Sequence, residues 1–106
     1  QMVKRLTDDN FKKETGNGFS FVAFIARGAL PASIKAVIDE LDSEVGKLIT
    51  VGRLDTDENP ETSKEFSIMS IPALMLLKDG KKVKQLTGFH NKEELRRVDR
   101  HVGKIY

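Results

Sequence analysis

No cysteine occurs among the 106 residues, and that absence excludes disulfides, thiol chemistry and cysteine-ligated metals. The two histidines, His90 and His101, are far apart and lack the spacing of metal ligands, so surface roles are expected for both. Neither a metal nor any other cofactor is expected. Charge of one sign is missing too: 18 basic and 16 acidic residues leave a net charge of +2, unlike the one-sided footprint of a nucleic-acid binder. The densest basic stretch, "RRVDRHVGK", is interleaved with helical apolar positions and reads as a solvated helix face. No glycine-rich phosphate loop is present. No apolar run approaches the ~20 residues that cross a bilayer, and the opening lacks a signal-peptide pattern. No membrane partner is expected, and the expected compartment is the cytoplasm. Gln1 cannot be an initiator, so ahead of Met2 it reads as a remnant or a processing scar.

What is present is the balance of an ordinary globular chain, 39% hydrophobic and 32% charged. One domain spanning 1–106 can bury a core of its own, and a monomer is expected. "MVKRLT" reads as a short opening strand. "TDDNFKKET" follows as a helix, with Thr7 as N-cap and Asp8 and Asp9 in the first turn, where the helix dipole favours negative charge. The turn "TGNG" leads into "FSFVAFIA", a nearly unbroken apolar run of the kind found in a strand covered on both faces.

From Ala32 to Val45, the residues Ile34, Val37, Ile38, Leu41 and Val45 recur at helical steps, and Gly46 supplies a stop. "KLITVGRLD" is a further buried strand. Asn59 and Pro60 then open another helix as N-cap and first position. Ala73 to Leu77 is strand-like, and Asp79-Gly80 predicts a hairpin into Val83 to Thr87. A last helix is predicted from Lys92 to Val102, capped by Asn91 with Glu94 three residues on, and with Leu95, Val98 and Val102 inward. The order β-α-β-α-β-α-β-β-α implies an α/β fold: a mixed central sheet with parallel crossovers, a terminal hairpin and helices on both faces.

The junction "GALPAS" is shaped like an active-site turn, yet Ala29-Leu30-Pro31-Ala32 within it hold no nucleophile, acid or base. Together with "DENPETSKEFSIMSIPALMLLKDG" and "LTGFHNKEEL", it resembles the thioredoxin family along nearly the whole chain. That resemblance implies the thioredoxin fold and a parent activity as protein-disulfide reductase. It also implies disulfide-bearing protein substrates and a thioredoxin reductase as partners. The family's nucleophilic and resolving cysteines fall on Ala29 and Ala32, around Leu30 and Pro31, and its cis-proline falls on Pro72. The implied substrate-binding surface is Gly28, Leu30, Pro31, Ile71, Pro72, Gly88 and Phe89, with the backbone of Ile71 free to pair with an extended segment. Pro31 and Phe89 also have plain structural readings, as a first-turn proline and a loop aromatic over the core.

Three departures stand out. Ala23 occupies the place of a buried aspartate, Gly28 that of a tryptophan, and Arg53 that of a lysine facing the aspartate. Some bacterial members resemble this chain in having Gly-Cys-x-Pro-Cys without the tryptophan. Without an aspartate at 23, Arg53 is expected to reach the edge of the fold or find an acidic partner, because a buried unpaired guanidinium is costly. Met69 and Met75 are expected to pack in the core or at its rim.

Two readings of function follow. In one, a thioredoxin has been silenced by design, with two cysteines, or a cysteine and a selenocysteine, changed to alanine. In the other, the chain is a natural redox-inactive binding or scaffold module, consistent with Ala23.

Overall fold

The computed structural model describes residues 3–87. They form β1 (Lys4–Leu6), α1 (Phe11–Thr15), β2 (Phe19–Ile25), α2 (Ala32–Val45), β3 (Thr50–Asp55), α3 (Pro60–Glu65), β4 (Ala73–Lys78) and β5 (Lys81–Thr87). The last predicted helix, with His90 and His101, lies outside the described residues, as do Gly88 and Phe89.

The sheet order is β1-β3-β2-β4-β5. β3 pairs in parallel with β1 and β2, while β4 runs antiparallel to both β2 and β5. A parallel neighbour cannot be reached by a tight turn, so α2 has to cross the sheet between β2 and β3. It does so over one face, where Ile34, Ile38 and Leu41 meet Phe21, Ala23, Ile25, Val51, Leu74 and Leu76. The alternate residues of the same strands point the other way. Val22, Phe24, Leu54, Met75 and Leu77 pack with Leu6 and Phe11, and Phe66 and Ile68 close that side. The continuous apolar run of β2 therefore reflects two cores, one on each face. Phe11, Phe24 and Phe66 form a cluster with ring centroids 5.4 to 6.5 Å apart, offset and tilted as aromatic quadrupoles prefer. Gly52 is the contact that lets β1 approach, since a Cβ there would meet the Leu6 side chain at 2.7 Å.

The hairpin forms as predicted: Asp79 and Gly80 both have positive φ, 51° and 80°, the signature of a tight two-residue turn. Asp79 also ties that turn down, because its Oδ1 accepts the Gly18 N–H at 2.7 Å.

Two helix starts differ from expectation in an instructive way. Thr7 and Asn10 cap each other: the Thr7 hydroxyl accepts the Asn10 N–H, and Asn10 Oδ1 accepts the Thr7 N–H. α1 itself begins only at Phe11. Asn59 occupies the cap position of α3, but its side chain makes no capping bond. It accepts the Asp8 N–H and donates to the Asp55 carbonyl instead. Asp8 caps α3 from across the fold, accepting the N–H groups of Glu61 and Thr62 and the Thr62 hydroxyl. The acidic residue expected to serve its own helix serves another one.

Met75 lies in the core, fully buried, whereas Met69 is 93% exposed. Core or rim packing therefore does not hold for Met69. Ile68, half-buried, packs beside Phe66 against the core, and the next residue points outward. Arg53 is exposed, as expected for a guanidinium with no aspartate at 23.

Partial burial raises the Asp8 carboxyl pKa, but the bonds from Thr62 and Glu61 outweigh this and hold it below the usual 3.8. A pKa lowered by folding stabilises the fold fully above the unfolded value and loses that contribution as pH falls through the folded value. Asp8→Ala should therefore lower the melting temperature near neutral pH where Asp9→Ala does not. The difference from the parent chain should shrink on acidification below about 3.8, as calorimetry across pH would read.

Candidate functional site

The site is built where β2 and β3 end side by side. Ile25 is the register partner of Asp55, so the segments leaving the two strands start as neighbours. Ile25 O accepts the N–H of Thr56 at 2.8 Å and its hydroxyl at 3.1 Å. The chain then reverses through Ala26-Arg27-Gly28-Ala29, with Ala29 N–H donating to Ala26 O at 2.9 Å. Arg27 and Gly28 have φ of 55° and 67°. Two consecutive left-handed residues make a tight turn, and a non-glycine in that region costs ~1–2 kcal/mol.

Two carboxylates hold the turn. Asp55 Oδ2 accepts the Gly28 N–H at 2.6 Å, and Asp57 Oδ2 accepts the Arg27 N–H at 3.2 Å. The other oxygen of Asp55 accepts the N–H of Asp57 at 2.9 Å and of Glu58 at 3.4 Å. Partial burial pushes the Asp55 pKa up, but the N–H donors of Gly28, Asp57 and Glu58 outweigh it and hold it below the ordinary value. Neither aspartate was identified from sequence. The available signal was an acidic pair two apart at the carboxyl end of a buried strand, where open α/β sheets place their sites.

Beyond the turn, Pro31 stands at the cap position of α2 with φ −55° and ψ 141°, and no side chain caps the helix. No acidic residue occupies its first turn. The helix therefore presents an open, positively polarised N-terminus.

Ala29, Pro31, Ile71 and Pro72, with Ile25 and Ala26, line one small apolar cavity of about 210 Å³. The Ile71–Pro72 peptide is cis, and Ile71 is 41% exposed. Ala29 is exposed at the rim. Ala32 is also exposed, on the first turn of α2, and does not line that cavity. Leu30 turns the other way, packing on the α2 side of the core and lining a separate depression with Val3, Lys35 and Arg53. Gly28 belongs to a third recess of about 400 Å³, shared with Arg5, Arg27, Asp55 and Asp57. Ala23, fully buried, is the register partner of Arg53.

Space does not explain Gly28, because a Cβ there would meet nothing within 4 Å. Its backbone angle does. Gly28→Ala should cost about 1 kcal/mol of stability from the left-handed φ alone. Gly28→Asn should cost less, since asparagine tolerates that region. Denaturant unfolding of the two variants checks the ranking.

The fold resembles that of thioredoxin from Malassezia sympodialis, with a TM-score of 0.80 at 23% identity over 94% of this chain and 90% of the other. In sequence, the chain is 41% identical to thioredoxin of Listeria monocytogenes over 98 residues, covering 92% of this chain and 95% of the relative. It is 38% identical to thioredoxin of Bacillus subtilis over 102 residues, covering 94% and 98%. The thioredoxin family model matches residues 2–100. This chain, cysteine-free as it is, belongs to the thioredoxin family.

Proposed function

We propose that the chain is a redox-silent form of a protein-disulfide reductase, with alanine at the nucleophilic position 29 and the resolving position 32. The observation that carries this reading is the Ala29 methyl, presented by a tight turn beside Pro31, Ile71 and Pro72 ahead of the uncapped N-terminus of α2.

Given sulfur, that arrangement suits thiol–disulfide exchange. A thiolate at 29 is favoured by the helix N-terminus. It attacks one sulfur of a substrate disulfide, forming a mixed disulfide and expelling the other sulfur as thiolate. A thiol at 32 then attacks the sulfur at 29, closing a 29–32 disulfide and releasing the reduced substrate. A dithiol donor, or a thioredoxin reductase in the parent protein, returns two electrons to reset the site. A methyl group performs neither attack, so this chain keeps the docking surface without the reaction.

Docking through that surface alone is weak. Two or three backbone hydrogen bonds at ~1 kcal/mol each and ~300 Å² of apolar burial at ~25 cal/mol/Å² give roughly 10 kcal/mol gross. Association costs of at least ~4 kcal/mol leave an affinity from sub-millimolar to micromolar.

A second reading has one observation in its favour. Ala23 fills the core position where the family resemblance leads one to expect a buried aspartate, as in a module released from proton transfer and kept for binding or scaffolding. Codons at 29 and 32 in the natural gene separate the two: cysteine or selenocysteine codons favour the silenced enzyme, alanine codons the module.

The decisive experiment restores sulfur. Ala29→Cys together with Ala32→Cys should reduce insulin disulfides in the presence of a dithiol donor, well above the donor alone. Ala29→Cys by itself should accumulate a mixed disulfide with substrate. Absence of turnover in the folded double variant overturns the reading.

A further inference from the structure

We infer that Asp55 is a positioning residue for position 29: its carboxylate bridges the Gly28 amide to the amides of Asp57 and Glu58, fixing the turn that presents residue 29. The inference rests on the redox reading above and adds a residue to it.

The Ala26–Ala29 turn is an improbable one for its sequence. It places Arg27, a residue with a Cβ, and Gly28 in the left-handed region one after the other. Its internal bonding is confined to its two ends, where Ala29 donates to Ala26 O and the pair forms an isolated antiparallel bridge. Left to itself, such a turn would populate other backbone states, and residue 29 would move with them. The outward N–H groups of its two central residues are what hold it. One goes to Asp57 at 3.2 Å and the other to Asp55 at 2.6 Å, the shorter, charge-assisted contact.

Asp55 differs from Asp57 in being fixed on its other side as well. It ends β3, opposite Ile25 in the parallel register. Its second oxygen is engaged by two local amides. A strand end, a loop and the turn thus converge on one carboxylate. Two acceptor oxygens are required, because an amide side chain offers one oxygen and would turn its NH2 toward an N–H on the remaining side. Burial around Gly28 cannot substitute, since the residue is exposed and no heavy atom beyond its chain neighbours lies within 4 Å of where its Cβ would be. The turn is pinned by polar bonds rather than by packing.

Amide hydrogen exchange of the cysteine-free chain tests the bridge directly. Asp55→Ala should speed exchange at Gly28 by about tenfold or more, the worth of one charge-assisted hydrogen bond. Core amides such as Val22 and Leu54 should keep their protection. Unchanged exchange at Gly28 overturns the inference. So does equal acceleration at Val22 and Leu54, which would make Asp55 a support of the whole sheet. If the alanine variant fails to fold, Asp55→Asn keeps the shape and removes one acceptor oxygen. Faster exchange at Gly28 or Asp57 then supports the bridge, and no change at either overturns it.

The consequence for chemistry is read in the Ala29→Cys, Ala32→Cys chain. Adding Asp55→Ala should shift its equilibrium with glutathione about tenfold toward the dithiol, because a freed turn pays more entropy to close the 29–32 ring. An unmoved equilibrium overturns the positioning role. Should the cysteine-restored parent be inert while Gly28 exchange still depends on Asp55, the redox reading fails. The positioning role then falls with it, and the bridge remains as a property of the turn.

Discussion

Parallel pairing of β2 with β3 is the constraint from which the site follows. Its register sets Ile25 beside Asp55, and the two segments that continue from those residues are then laced together. Thr56 bonds back to Ile25, Gly28 reaches Asp55, and Arg27 reaches Asp57. Gly28 suits its left-handed angle, but Arg27 carries a Cβ and has no such preference of its own. The shape is imposed by the last residue of β3 and the loop after it, 27 and 30 residues along the chain. That pairing needs a crossover helix, so α2 starts immediately after the turn and its free N-terminus lies at the same place.

The second element of the site comes from the other side of β2. β4 runs antiparallel to β2, with Ala73 opposite Phe24, and so its leading residues, Ile71 and Pro72, arrive beside Ala29 and Pro31. Two strand ends of opposite direction thus meet across one central strand. The result is a small apolar notch. Alanine at 29 and 32 leaves no thiol there for electron exchange.

Much of this was legible in the residues. The helical spacing of Ile34, Ile38 and Leu41 marked the buried stripe of α2, and its ends at Ala32 and Val45 agree with the structure. Asp79-Gly80 marked the hairpin, and the unbroken apolar run from Phe19 marked a central strand. These are local signals, carried by neighbours in sequence. What escaped was long-range polar pairing. Asp8 looked like a first-turn residue of its own helix, and only the fold places it at the start of α3, 54 residues away. Asp55 looked like the last residue of a buried strand, whereas its partner Gly28 is 27 residues earlier. Met69 misled for a related reason, since its hydrophobicity suggested burial while the loop packs Ile68 against the core instead.

The proposed redox reading requires that two sulfurs, placed at positions 29 and 32, be able to join. Disulfide geometry is narrow, with Cα atoms about 4.4–6.8 Å apart, so the claim is easily contradicted. Peptide mapping by mass spectrometry of the Ala29→Cys, Ala32→Cys chain after mild oxidation tests it directly. The account predicts a single intramolecular bridge between 29 and 32 in a monomer, with loss of two hydrogens. Two free thiols, or bridges only between separate chains, would contradict it.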